Sequence, residues 1–147
     1  MIVIIFDFNR TLYDPDGGKL MDGALELLEN LSKKFHIILL AKGDEKRMEL
    51  INSLKIAHFF KEIILVPGKN IEQMLVIKEK FPDGTTFFCI GDRIKKEIKF
   101  GNMLGFKTIW LKNGKFASEI PLSDDEKPWQ IINSLEELSM DTFVKIG

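Results

Sequence analysis

Three charged residues of this 147-residue chain stand at or just beyond the ends of apolar runs, Asp7, Lys69 and Asp92, and a fourth, Glu97, lies one turn into the helix expected after Asp92. Asp7 closes the run Ile2-Val3-Ile4-Ile5-Phe6, and Asp92 follows a second run from Thr86 to Gly91. Two carboxylates held close together repel, and a hard divalent cation such as Mg²⁺ offsets them well with one or two carboxylates, a backbone carbonyl and waters. A nearby lysine neutralises a phosphoryl group or the nucleophile that meets it. An aspartate, a magnesium ion and a lysine in one crevice form a phosphoryl-transfer arrangement with the carboxylate as nucleophile. Plainer readings stand beside this one. Asp7 can simply begin a turn, and Lys69 can be a solvated loop lysine.

The elements around these residues argue for convergence. Ile2–Phe6 is rich in β-branched residues and reads as a strand buried on both faces. Further strands are expected at His36–Leu40, Ile63–Val66, Thr86–Ile90 and Lys107–Leu111. Between them the spacing predicts helices: one capped by Asp22 and running to about Lys34, with Leu25, Leu28 and Leu31, together with Ala24 and Leu27, on its apolar face; one capped by Asp44; one opened by Asn70 with Gln73 in a capping-box arrangement and with Ile71, Met74 and Leu75 facing inward; and one over Ile94–Leu104. Strand and helix alternate, which implies right-handed crossovers and an α/β, three-layer Rossmann-like fold with a mainly parallel central sheet. In such sheets the ligand crevice lies at the carboxyl ends of the strands, where Asp7, Lys69 and Asp92 all fall. The tail beyond Asn113 is broken by Pro121 and Pro128. Ser134–Leu138 reads as a short closing helix, and Trp129 as a core plug.

Composition narrows the classes. Length and apolar content fit one domain over residues 1–147. Basic and acidic residues nearly cancel, 21 against 22, so no global field favours nucleic acid or an anionic membrane. A lone cysteine, Cys89, excludes an intrachain disulfide and points to the cytoplasm. No apolar stretch approaches the roughly 20 residues of a membrane-spanning helix. Arg93, Lys95, Lys96 and Lys99 read as a solvated helix face balanced by Glu97. His36 and His58 read as structural.

The motifs together resemble those of the haloacid dehalogenase (HAD) superfamily. The first is Asp7-Phe8-Asn9-Arg10-Thr11 after its strand, where the family has Asp-x-Asp-x-Thr. The second is the strand ending at Ala41, where the family has Thr or Ser. The third is Gly68-Lys69-Asn70, and the fourth is Gly91-Asp92 with Glu97 beyond it. The likeness runs from Ile2 to about Leu111. It implies that Asp7 is a nucleophile forming an aspartyl-phosphate, and that Asp7, Asp92 and the Asn9 carbonyl hold Mg²⁺. It also implies that Lys69 orients nucleophile and phosphate and that Glu97 holds metal-bound water.

Three positions depart from the pattern. Asn9 replaces the aspartate that protonates the leaving group, so general acid–base help, worth about 10²–10⁴ in rate, is expected to be impaired. Ala41 lacks the phosphate-binding hydroxyl, leaving the N–H groups of Lys42 and Gly43 as substitutes. Glu97 keeps the acid but changes its reach. Arg10 can bind a substrate anion or form a surface salt bridge. Capped relatives insert a domain between motifs; here both intervals hold only core elements, so no cap domain is expected. Two readings remain open: an Mg²⁺-dependent phosphatase or phosphotransferase acting on a phosphorylated substrate, or a degenerate member that binds Mg²⁺ and a phosphorylated ligand or partner. Either a monomer or a homo-oligomer fits.

Overall fold

The computed structural model describes residues 1–144; the end of the expected domain, residues 145–147, lies outside the described residues. A six-stranded sheet forms the centre. Its strands are β1 (Ile2–Phe6), β4 (His36–Lys42), β5 (Glu62–Val66), β6 (Thr86–Gly91), β7 (Lys107–Leu111) and β8 (Gln130–Ile132), in the order β5-β4-β1-β6-β7-β8. Every neighbouring pair is parallel. A small antiparallel ribbon, β2 (Tyr13–Asp14) with β3 (Lys19–Leu20), stands apart after β1.

Both faces of β1 are buried, which is why its sequence is apolar without alternation. Ile4 and Phe6 join a core with α1 (Ala24–Ser32), α2 (Glu45–Ser53) and α5 (Met140–Val144). Val3 and Ile5 join the opposite core, with Met74 and Ile77 of α3 (Ile71–Glu79) and with Phe100 beside them in α4 (Lys99–Met103). The chain builds β4 and β5 on one side of β1, then crosses back to place β6, β7 and β8 on the other. The strand order therefore reverses at β1, and Asp7 sits at the mouth of that switch.

Several expectations are borne out and several change. Asp44 caps α2 by accepting from the Lys46 N–H at 3.0 Å, and Asn70 with Gln73 forms the expected capping box on α3. Asp22 does not cap α1. Gly23, at φ 81°, takes that position, and Ala24, Leu27, Leu28 and Leu31 form the buried face while Leu25 is exposed. On α3, Met74 is buried as expected, but Ile77 rather than Leu75 completes that face. The helix expected over Ile94–Leu104 starts as a π-helix, Ile94–Ile98, and only then continues as α4. The tail adds a strand, β8, that its short sequence does not announce, and the expected closing helix is a 3₁₀ turn over Leu135–Glu137. Trp129 is 46% exposed, so it is a lid on the edge of Phe88 and under Lys107 rather than a core plug. Among the described residues no helix is long and apolar enough to cross a membrane.

Candidate active site

The site is built first by the turn after β1. The Asp7 N–H still pairs with the Ile90 carbonyl at 3.0 Å, so its Cα belongs to the sheet while its carboxylate emerges from it. The chain then folds back tightly. The N–H groups of Thr11, Leu12 and Tyr13 all donate to the Phe8 carbonyl, and Arg10 is forced to φ 60°, a left-handed conformation uncommon outside glycine. This turn brings the Thr11 hydroxyl onto Asp7 Oδ2 at 3.3 Å.

Two further strand ends and a helix converge on the same place. Lys69, just after β5, donates through Nζ to Asp7 Oδ1 and, at 2.8 Å, to Glu97 Oε1. Asp92 follows β6, and its carbonyl accepts from the Trp110 indole N–H at 2.9 Å. Glu97 reaches back from the π-helix. That segment lacks a side-chain cap of its own; instead Glu119 accepts from the Ile94 N–H at 3.0 Å. Gly91 makes room for Glu97, because a Cβ there would stand 2.9 Å from the Glu97 side chain.

Asp7, Asp92 and Glu97 are 8%, 3% and 6% exposed, and each offers a carboxylate oxygen within 4.8 Å of the others. Burial first, then the charges of Asp7 and Glu97, push the Asp92 carboxyl up to about 8. Burial and Asp7 likewise raise Glu97, although Lys69 works against the shift. Burial alone would lower the Lys69 ammonium, but Asp7 and Glu97 more than offset that and raise it. Three carboxylates against one lysine leave the cluster short of positive charge. Asp92 Oδ2 and Glu97 Oε2 are buried without a hydrogen-bond partner, so the residues present fit a divalent cation bound among them.

The other candidates distribute around this centre. Asn9 Oδ1 accepts from Arg47 at 3.2 Å, a contact the sequence did not announce. Arg10 lies with its guanidinium carbon 5.6 Å from the centre of the Phe116 ring, and Arg93 covers the same ring at 3.9 Å. Ala41 is buried inside β4, and Lys42 is exposed at its end. The Gly43 N–H donates to the Val66 carbonyl at 2.9 Å, so this substitute donor is engaged by the sheet edge rather than free for an anion. The basic face expected on the helix after Asp92 is also different. Lys95 and Lys99 pair with the buried Glu126, while Glu97 turns inward to Lys69. Cys89 is a buried core residue of β6.

Fold and site together describe an α/β protein with an acidic, lysine-bridged centre at its topological switch point. A family model described as HAD-hydrolase-like matches residues 69–138. The chain is 25% identical over 131 residues to YfnB of Bacillus subtilis, named as a HAD-hydrolase, covering 84% of this chain and 54% of that protein. It is 25% identical over 114 residues to the glyceraldehyde 3-phosphate phosphatase of Methanopyrus kandleri, covering 65% of this chain and 47% of that one. The chain thus spans about half the length of these curated relatives. The crystal structure of YfnB bound to magnesium superposes with a TM-score of 0.70 at 24% identity, over 89% of this chain and 58% of YfnB. A haloacid dehalogenase-like hydrolase of Burkholderia xenovorans shares the fold at a TM-score of 0.73 and 12% identity, over 90% and 92% of the two chains. These likenesses in sequence and fold support membership of the haloacid dehalogenase superfamily.

Proposed function

We propose that this chain is an Mg²⁺-dependent phosphoric monoester hydrolase or phosphotransferase whose nucleophile is Asp7. The observation that carries the reading is the buried triad Asp7, Asp92 and Glu97, with Lys69 bonded to two of its members. The relative named as a glyceraldehyde 3-phosphate phosphatase supports a phosphate ester as the substrate class. Asp7, Asp92 and the Asn9 carbonyl would hold Mg²⁺, with Glu97 beside them. The ion supplies charge neutralisation for a phosphoryl group approaching two carboxylates.

This chain's residues then divide the work. Lys69, donating to Asp7 Oδ1, holds the nucleophile's carboxylate in place. An oxygen of Asp7 attacks phosphorus, the bond from phosphorus to the substrate oxygen breaks, and its electron pair leaves with that oxygen. Water next attacks the aspartyl-phosphate, which releases phosphate and restores Asp7. Asn9 has no proton to give in the first step and cannot take one in the second. Turnover is therefore slow on alkyl phosphates and better on aryl and acyl phosphates, whose leaving groups depart as stable anions. Arg10 and Arg93 around Phe116 form a cationic rim for the rest of the substrate.

The absence of an acid at position 9 also favours the second reading, a member that binds Mg²⁺ and a phosphorylated ligand with little turnover. A screen of aryl, acyl and alkyl phosphates with and without Mg²⁺ separates the two. Activity on aryl and acyl phosphates that needs Mg²⁺ and disappears in Asp7→Asn supports the enzyme. Phosphate binding without any hydrolysis supports the binding member.

A further inference from the structure

Arg47 lies in the first turn of α2 and reaches the site from the β4 side. Its guanidinium carbon lies 4.9 Å from the centre of the Phe8 ring, and one N–H donates to Asn9 Oδ1 at 3.2 Å. Gly43 keeps its stem against the end of β4, since a Cβ on that glycine would fall 2.5 Å from the Arg47 Cβ. The side chain is thus held on three sides: by Phe8, Asn9 and the glycine turn. Among the described residues no carboxylate lies within ion-pair distance of it. Lys69, by contrast, is balanced by Asp7 and Glu97, and Arg93 by Glu119. A half-buried guanidinium with a neutral amide as its polar partner keeps its full charge and most of its five donors for something else.

We propose that Arg47 is an anion-binding residue of this site, donating to a phosphoryl oxygen of the substrate. It makes good the hydroxyl that Ala41 lacks and the Gly43 donor that the sheet has taken. Asn9 suits this arrangement because its amide oxygen orients the guanidinium without neutralising it, as a carboxylate there would. The proposal rests on the phosphoryl-transfer reading above.

The test is calorimetric titration of inorganic phosphate into the Mg²⁺-loaded protein, for wild type, Arg47→Met and Arg47→Lys. Methionine retains an apolar cover over Phe8, and lysine retains the charge. Arg47→Met is expected to weaken phosphate binding at least tenfold with Mg²⁺ affinity and melting temperature unchanged, and Arg47→Lys to weaken it less. Wild-type phosphate affinity in Arg47→Met would overturn the role of Arg47 and leave the phosphoryl-transfer reading standing. An equal loss of Mg²⁺ affinity would mark Arg47 as a packing residue and also overturn it. A wild type that binds no phosphate at millimolar concentration would overturn both.

Discussion

At the scale of single residues, Asp92 and Asn9 carry the sharpest consequences. Asp92 titrates near 8 in the metal-free fold, because it is buried beside Asp7 and Glu97. An unfolded aspartate titrates near 4, so the fold holds a proton that the unfolded chain has released. Stability of the metal-free protein must therefore fall as pH rises through the window from about 4 to about 8. Binding a divalent cation displaces that proton, so Mg²⁺ should bind more tightly and raise the melting temperature more at about pH 8.5 than at about pH 6. Equal Mg²⁺-induced shifts at the two pH values would contradict the coupling. Asn9→Asp restores a carboxylate, but beside Arg47, which holds it ionised. An ionised aspartate can serve as the base for water in the second step and serves poorly as the acid in the first. The variant should thus raise kcat about tenfold or more on aryl phosphates, while alkyl phosphates fall short of the full gain of about 10²–10⁴ that a free acid supplies. Comparable gains on both substrate classes would show that Arg47 does not control the group at position 9.

Among the elements, the π-helix decides the geometry. An α-helix continued straight from Ile94 would place residue 97 elsewhere; the wider turn sets Glu97 beneath Gly91 while Ile94 and Ile98 stay packed with Trp110. Gly91→Ala should therefore destabilise the fold by about 1–3 kcal/mol through overpacking and displace Glu97. Denaturant unfolding reads the first effect and Mg²⁺ titration the second, and an unchanged Mg²⁺ affinity would separate Glu97 from the metal centre. The loop between β7 and β8 contributes by clasping the same segment. Glu119 caps Ile94, and the buried Glu126 receives Lys95 and Lys99. Losing the cap in Glu119→Ala should cost about 1 kcal/mol, the usual worth of a helix cap, measured by the same unfolding curves. No change would mean that water replaces the carboxylate at no cost.

For the whole molecule, a cation bound in the acidic centre would tie stability to its ligand. Three strands and a helix meet there, and without a cation their carboxylates repel across the switch point. A ligand that binds only the folded state stabilises it by about 2.7 kcal/mol at a hundred times its Kd. Chelation should therefore lower the melting temperature, Mg²⁺ should restore it, and Asp92→Asn should remove most of the response. A melting temperature indifferent to Mg²⁺ in the wild type would count against a cation among these carboxylates.

The amino-acid sequence by itself determined the five main strands, the helices between them and the strand-end positions of Asp7, Lys69 and Asp92. These follow from local periodicity and capping, which act over a few residues and are written in neighbouring side chains. Tertiary structure decided the rest. Arg47 meets Asn9 across 38 positions, and Glu119 caps Ile94 from 25 positions away, separations over which no local pattern carries information. The first turn of α2 was the one available hint for Arg47, since a residue there stands close to the end of β4. The π-turn at Ile94–Ile98 was invisible because a four-residue spacing of Ile94 and Ile98 suits an α-helix equally well. β8 was invisible because three residues are too few to show a period, and it exists only because β7 offers it an edge.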